Sequence, residues 1–148
     1  MYNKILVPLD ESKRAERIFP YVEALAQKFG SHLILLQVVE PVVSTFVAGG
    51  MTPYYYDTEM TTQLLEAAKA YLAGVQAQLQ AHGFEVKTRI ESGPVVQSIL
   101  HAATEEDADL IALASHGRTG LARVFYGSVA AGILNQADRA LLLIRAQE

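Results

Sequence analysis

The stretch Lys4-Ile5-Leu6-Val7-Pro8-Leu9 is a short aliphatic run that stops at Asp10-Glu11-Ser12. Such a run, closed by acidic and hydroxyl residues, predicts a buried strand followed by a helix-start turn. The pattern recurs in Leu110 to Ala114, which runs into Ser115-His116-Gly117-Arg118-Thr119-Gly120, and again in His32 to Val39. These strands are dense enough in Leu, Ile and Val to be covered on both faces, as in a parallel sheet. Ala140 to Ile144 is a further apolar strand. Phe84, Val86, Thr88 and Ile90 alternate with Glu85, Lys87, Arg89 and Glu91, so that strand has one wet face and belongs at a sheet edge.

Helical spacing fills the intervals. From Lys13 to Phe29 the residues Ala15, Ile18, Phe19, Val22, Leu25, Ala26 and Phe29 mark one face, and Gly30 stands where a C-terminal cap belongs. Pro20 lies inside this segment and is expected to bend it. Leu64, Leu65, Ala68, Leu72, Val75 and Leu79 mark a second helix ending at Gly83. Gly93-Pro94 opens a third, carried by Val95, Ile99, Leu100 and Ala103, with Glu105-Glu106-Asp107 as its solvated end. A fourth begins at Gly127-Ser128. Glu40 to Thr58, with Pro41, Gly49, Gly50, Pro53 and the tyrosines Tyr54 to Tyr56, has no period and reads as a long loop. The tyrosines there either close over a ligand or dock a partner, or fold back on the domain.

Alternating strands and helices predict an α/β fold: a three-layer domain with an open, parallel, five-stranded sheet and helices on both faces. With the five strands numbered in chain order, the expected spatial order is 3-2-1-4-5. The chain then reverses direction between the first and fourth strands, and ligands in such sheets bind beside that reversal at the carboxyl ends of the strands. Asp10 and Ser115 to Gly120 would line the crevice.

The chain has 148 residues, which fits one domain spanning 1–148. At 51% hydrophobic and 19% charged it is too apolar to be disordered. Twelve Lys+Arg stand against sixteen Asp+Glu, for a net charge of −4, and no basic run offers the footprint nucleic acid requires. The absence of cysteine excludes disulfides and thiolate metal sites. The first residues lack the features of a signal peptide, and no apolar run reaches the roughly 18 residues of a spanning helix, so no membrane partner is expected. A soluble cytoplasmic protein is the expectation.

Gly117 and Gly120 follow a buried strand and Gly127-Ser128 starts a helix, an arrangement in which backbone amides can face an anion such as phosphate. Turn-forming glycines give the same pattern, so both readings stand. Neither a Gly-x-x-x-x-Gly-Lys-Ser/Thr loop nor a Gly-x-Gly-x-x-Gly fingerprint is present. Asp10 is open to two readings as well, ligand contact or turn former, with Ser12 a candidate N-cap. His116 stands beside the phosphate region and could titrate near neutrality, or it is simply a loop histidine. His32, His82 and His101 form no metal-ligand pair, so no protein-built metal site is expected, and a divalent cation would arrive with the phosphates. No Gly-x-Ser-x-Gly elbow or nucleophile and base pair is evident, and catalysis has no support in the sequence.

Val7-Pro8-Leu9-Asp10-Glu11-Ser12, Leu35-Leu36-Gln37-Val38-Val39, Glu91-Ser92-Gly93-Pro94 and Ser115 to Leu121 leading to Tyr126-Gly127-Ser128-Val129 together resemble a universal stress protein of the nucleotide-binding kind. The family's pattern is a glycine, two residues, a glycine, nine residues, then glycine and Ser/Thr. Gly117 and Gly127-Ser128 match its later positions, and Ala114 stands where the family has its first glycine. Its methyl group would lie beside the ribose or the first phosphate. The resemblance implies that Asp10, at the end of Pro8-Leu9, and the backbone of Val38 meet the adenine side of a nucleotide. It also implies that Gly117, Gly127, Ser128 and the Val129 amide hold the phosphates, near His116 and Gly120. Arg118 or Arg123 would add charge-assisted contacts.

ATP, ADP or AMP, with Mg2+ on the phosphates, is therefore the expected ligand of a cytoplasmic stress-response regulator. The bare apolar strand Ala140 to Ile144 would lie at an open edge, which soluble proteins cover or pair. The family also pairs through its last strand, so a homodimer is expected, with a further protein partner as its target. The competing readings are a nucleotide-free dimeric interaction module and a slow ATPase.

Overall fold

The computed structural model describes residues 1–45, 49, 54–116 and 127–146, apart from the side chains of Tyr54 and His116. In chain order the elements are β1 (Lys4–Leu9), a 3-10 turn (Ala15–Ile18), α1 (Phe19–Phe29), β2 (His32–Val39), β3 (Val43–Thr45), β4 (Tyr54–Tyr56), α2 (Thr58–Ala81), β5 (Val86–Ser92), α3 (Val95–Glu105), β6 (Leu110–His116), α4 (Ser128–Gln136) and β7 (Ala140–Ala146).

The main sheet is parallel and five-stranded, in the order β5-β2-β1-β6-β7. This is the expected 3-2-1-4-5 arrangement once the short strands β3 and β4 are set aside. Strand alternation divides the core into two layers. Ile5, Val7, Leu33, Leu35 and Ala112 face α1 and α2, where they meet Val22, Ala26, Leu72 and Leu79. Leu6, Ile34, Leu36, Ile111 and Leu113 face α3 and α4, where they meet Ile99, Ala102, Ala130 and Ile133. The central strands are thus covered on both sides, which is why their sequences carry aliphatic residues without alternation.

Several local expectations change. Pro20 does not bend a long helix. The chain from Ala15 starts as a 3-10 turn, α1 proper begins at Phe19, and Pro20 occupies its first turn, where its missing N–H breaks no helical bond. Gly30 caps α1 in the left-handed conformation, φ 67°, and its N–H donates to the Ala26 carbonyl. The segment expected to be a featureless loop contains an antiparallel pair, with Val43 opposite Tyr56 and Thr45 opposite Tyr54, so the tyrosine run is a strand. α2 starts at Thr58, earlier than its apolar spacing indicates, because Asp57 caps it by accepting from the Met60 N–H at 2.9 Å.

The polar face of β5 is only partly wet. Lys87 and Arg89 both reach Glu106, at 2.8 and 2.9 Å, and the Glu106 side chain is 10% exposed. At the end of α3 Glu105 and Asp107 are exposed as expected, and Glu106 departs from the solvated reading as an ion-pair site. The bonds from Lys87 and Arg89 hold the Glu106 carboxyl below its ordinary range, against the opposing effect of burial.

Candidate functional site

A cavity of about 320 Å3 opens at the carboxyl ends of the strands, beside the point where the chain direction reverses between β1 and β6. β1 contributes Pro8, Leu9 and Asp10, and β2 contributes Leu36 and Val38, with Glu40 just beyond. β6 adds Leu113, Ala114 and Ser115, and α3 adds Val95 and Ile99. The start of α4 closes the remaining side with Gly127 to Ala130, and Arg14 and Ala15 come from the turn after β1. The floor of Leu36, Val38, Val95, Ile99 and Leu113 is apolar. The rim is polar: Asp10, Arg14, Glu40, Ser128 and the first amides of α4.

The turn after β1 is built from its own polar side chains. Asp10 Oδ1 accepts from the Ser12 N–H at 3.1 Å and from the Ser12 hydroxyl, while Oδ2 meets the Arg14 guanidinium at 3.3 Å. Ser12 Oγ in turn accepts from the Ala15 N–H at 3.1 Å, capping the 3-10 turn. Asp10 thus serves as a turn former and also lines the cavity, and Ser12 is a cap. Its carboxylate remains 57% exposed, with room for a further donor.

At the opposite wall, α4 begins at Gly127 with no side-chain cap among the described residues. Intrahelical bonding starts with Ala131, whose N–H donates to the Gly127 carbonyl at 3.0 Å, so the amides before it have no partner within the helix. Such amides and the helix dipole favour an anion at this wall. Ser128 is exposed beside them, and Ser115 is buried with its hydroxyl donating to the Ile144 carbonyl at 3.3 Å.

Of the residues singled out in the sequence, Pro8, Leu9, Asp10, Val38, Ala114, Ser115, Gly127, Ser128 and Val129 line this one cavity. His116 ends β6. Gly117, Arg118 and Gly120, together with Arg123, lie outside the described residues. Arg14 and Glu40 join the lining, as do Val95 and Ile99, which the sequence marks only as apolar positions of α3. The spacing of Arg14 four residues after Asp10 was the available signal for the first. Among the described residues no group of three or more His, Asp or Glu side chains is arranged to hold a metal ion, and no helix is long and apolar enough to cross a membrane.

Behind the same turn, on the α1 and α2 face, the Tyr71 hydroxyl donates to Glu16 Oε1 at 2.9 Å. Burial, reinforced by the Glu16 carboxylate and the nearby charges of Asp10 and Glu11, pushes the Tyr71 phenol well above its ordinary range. It remains a donor, tying α2 to the 3-10 turn that precedes α1.

The family model for the universal stress protein family matches residues 1–145. Universal stress protein MJ0577 of Methanocaldococcus jannaschii is 30% identical over an alignment that covers 98% of this chain and 96% of that protein. The solved structure of MJ0577 superposes with a TM-score of 0.79 at 27% identity, covering 100% of this chain and 99% of the other. Two further structures share the fold. A universal stress protein in complex with cAMP has a TM-score of 0.71 at 19% identity, covering 99% of this chain and 98% of its own. One from Archaeoglobus fulgidus in complex with dAMP has 0.66 at 23%, covering 97% and 98%.

Proposed function

The chain belongs to the universal stress protein family, and on that premise we propose that its cavity binds an adenine nucleotide and that the protein acts as a nucleotide-responsive regulatory module of the stress response. The observation that carries this reading is the pairing, in one cavity, of an apolar floor with a helix start that has no side-chain cap among the described residues. The volume lies at the lower end of the range for small-molecule sites, suited to a mononucleotide. The base fits between Leu36, Val38, Val95, Ile99 and Leu113, with Asp10 and the Val38 backbone at its polar edge. The phosphates fit over the amides of Ser128 and Val129, which have no partner within α4, where Gly127 leaves room for close approach. The fold relatives solved with cAMP and with dAMP lend support, since both ligands are adenine nucleotides.

AMP, ADP and ATP share the groups this cavity recognises. Mg2+ enters as a companion of the phosphates. The single domain acts as a homodimer in the cytoplasm, paired along the open edge of β7, whose Leu141 to Ile144 are only partly buried within one chain. Ala114, half-buried in the lining, favours the second reading, a nucleotide-free interaction module, because its methyl group occupies space that a glycine would leave to the ligand.

Calorimetric titration of nucleotide-stripped protein with AMP, ADP and ATP, with and without Mg2+, tests the proposal. Saturable binding of one nucleotide per chain, weakened in Gly127→Val and kept or tightened in Ala114→Gly, is expected. No heat at millimolar ligand would favour the nucleotide-free module. Release of phosphate from ATP in the same samples would indicate the slow ATPase. Sedimentation at micromolar protein tests the dimer, and a monomer there would remove β7 as a partner surface.

A further inference from the structure

β2 reads His-Leu-Ile-Leu-Leu-Gln-Val-Val, and Gln37 is the one polar residue in its interior. It is 7% exposed. Alternation along the strand puts its side chain on the face of Leu33 and Leu35, toward α1 and α2, while Leu36 and Val38 form the cavity floor on the other face. Its Nε2 donates to Glu11 Oε2 at 3.2 Å. Its Oε1 is buried with no hydrogen-bond partner among the described residues. A buried amide with an orphaned acceptor is a liability that a leucine at this position would not have, so it calls for an explanation other than packing.

What Gln37 grips supplies one. Glu11 has φ 66°, a left-handed conformation that a residue with a side chain this long adopts only where its surroundings hold it. It sits between Asp10 and Ser12, inside the turn whose Asp10 and Arg14 stand at the mouth of the cavity. Gln37 lies directly beside Leu9 in the sheet register, at the last residue of β1 before this turn. We infer that Gln37 is a positioning residue for the ligand site: from the far face of the sheet it anchors Glu11, and thereby fixes the backbone that presents Asp10 and Arg14 to the cavity. The inference rests on the nucleotide reading given above.

The test is calorimetry with AMP and with adenosine on the parent, Gln37→Leu, Glu11→Ala and the double variant, alongside their melting temperatures. Gln37→Leu should melt no lower than the parent yet bind AMP roughly tenfold more weakly, the order of losing one hydrogen bond to a charged group. Adenosine affinity should fall by the same factor, because the phosphate wall at α4 is untouched. Glu11→Ala, at an exposed position, should give a similar loss, and the double variant should be no weaker than the worse single. Parental affinity in Gln37→Leu, or additive losses in the double variant, would overturn the inference. If Gln37→Leu melts lower, Glu11→Ala decides: unchanged affinity there makes Gln37 a core residue and nothing more. A parent that binds no adenine nucleotide overturns the nucleotide reading together with this inference, and is seen before any variant is compared.

Discussion

Glycine to alanine should have opposite signs at two helical positions of this protein. In α2, a Cβ added at Gly74 meets nothing within 4 Å, and the site is exposed. Gly74→Ala therefore gains the helix-propensity difference of about 1 kcal/mol and a melting temperature higher by roughly 2–4 °C. In α4, a Cβ at Gly132 falls 2.7 Å from Val96 Cγ2 and 3.2 Å from Cγ1, across the contact between α3 and α4. Valine in a helix has one preferred rotamer and cannot swing aside cheaply. Overpacking of this kind costs about 1–3 kcal/mol, which outweighs the propensity gain, so Gly132→Ala should lose roughly 0–2 kcal/mol. The two identical substitutions should then differ by roughly 1–3 kcal/mol in urea midpoints analysed as two-state transitions. In the Gly132→Ala background, Val96→Ala should cost less than it does in the parent, because it removes the obstacle. Equal stabilisation at both positions, with no coupling to Val96, would refute the close-packing account of the α3 and α4 contact.

Glu106→Gln should destabilise by about 2 kcal/mol at neutral pH, since it leaves Lys87 and Arg89 without their shared carboxylate. The folded-state pKa of Glu106 lies below its unfolded value, so its contribution is present above the ordinary carboxylate range and lost as pH falls through the folded value. The gap between parent and variant in denaturation curves should close on acidification, and a constant gap would count against the ion pair. Arg139 donates to the Ala103 and Ala108 carbonyls, both at 2.8 Å, at the end of α3. Arg139→Ala should cost about 2 kcal/mol, and Arg139→Lys should recover only part, because an ammonium does not reproduce the guanidinium fork; equal melting of the two variants would contradict this.

Most of the fold was legible because the central strands are covered on both faces, so that Leu6, Leu35 and Ile111 all had to be apolar and their runs stood out. The order of strands followed from the same fact, with Lys87 and Arg89 marking β5 as an edge. What was hidden depended on tertiary partners. Pro20 lies in the first turn of α1 because the chain before it takes a 3-10 path, a difference of about 20° per residue that periodicity does not register over only four residues. The pairing of Val43 with Tyr56 joins two three-residue strands, too short for an alternation to appear. Glu106 reads as a solvated tail until β5 brings two cations to it. In the site, the end of β1 and the start of α4 were visible because the expected strand order puts them beside the chain reversal; residue type alone did not decide it, since Asp10 also forms the turn it stands in. Val95 and Ile99 line the same cavity unseen, since a floor for a ligand and a core for a helix need the same side chains.

The pairing of β1 with β6 has a consequence for how the chain is made. Ile5 and Leu110 lie side by side in the finished sheet yet are far apart in sequence. At about 5–20 residues per second, β1 leaves the ribosome many seconds before its second neighbour exists. Meanwhile it can pair only with β2, and an aliphatic edge of a growing sheet stands open to any extended segment nearby. Nascent chains arrested before residue 110 should therefore be captured by chaperones through β1, and those released beyond residue 146, in which β6 covers that edge, should be captured less. Crosslinking of ribosome-bound chains of graded length would reveal the difference, and equal capture at both lengths would mean that the edge is sheltered by other means.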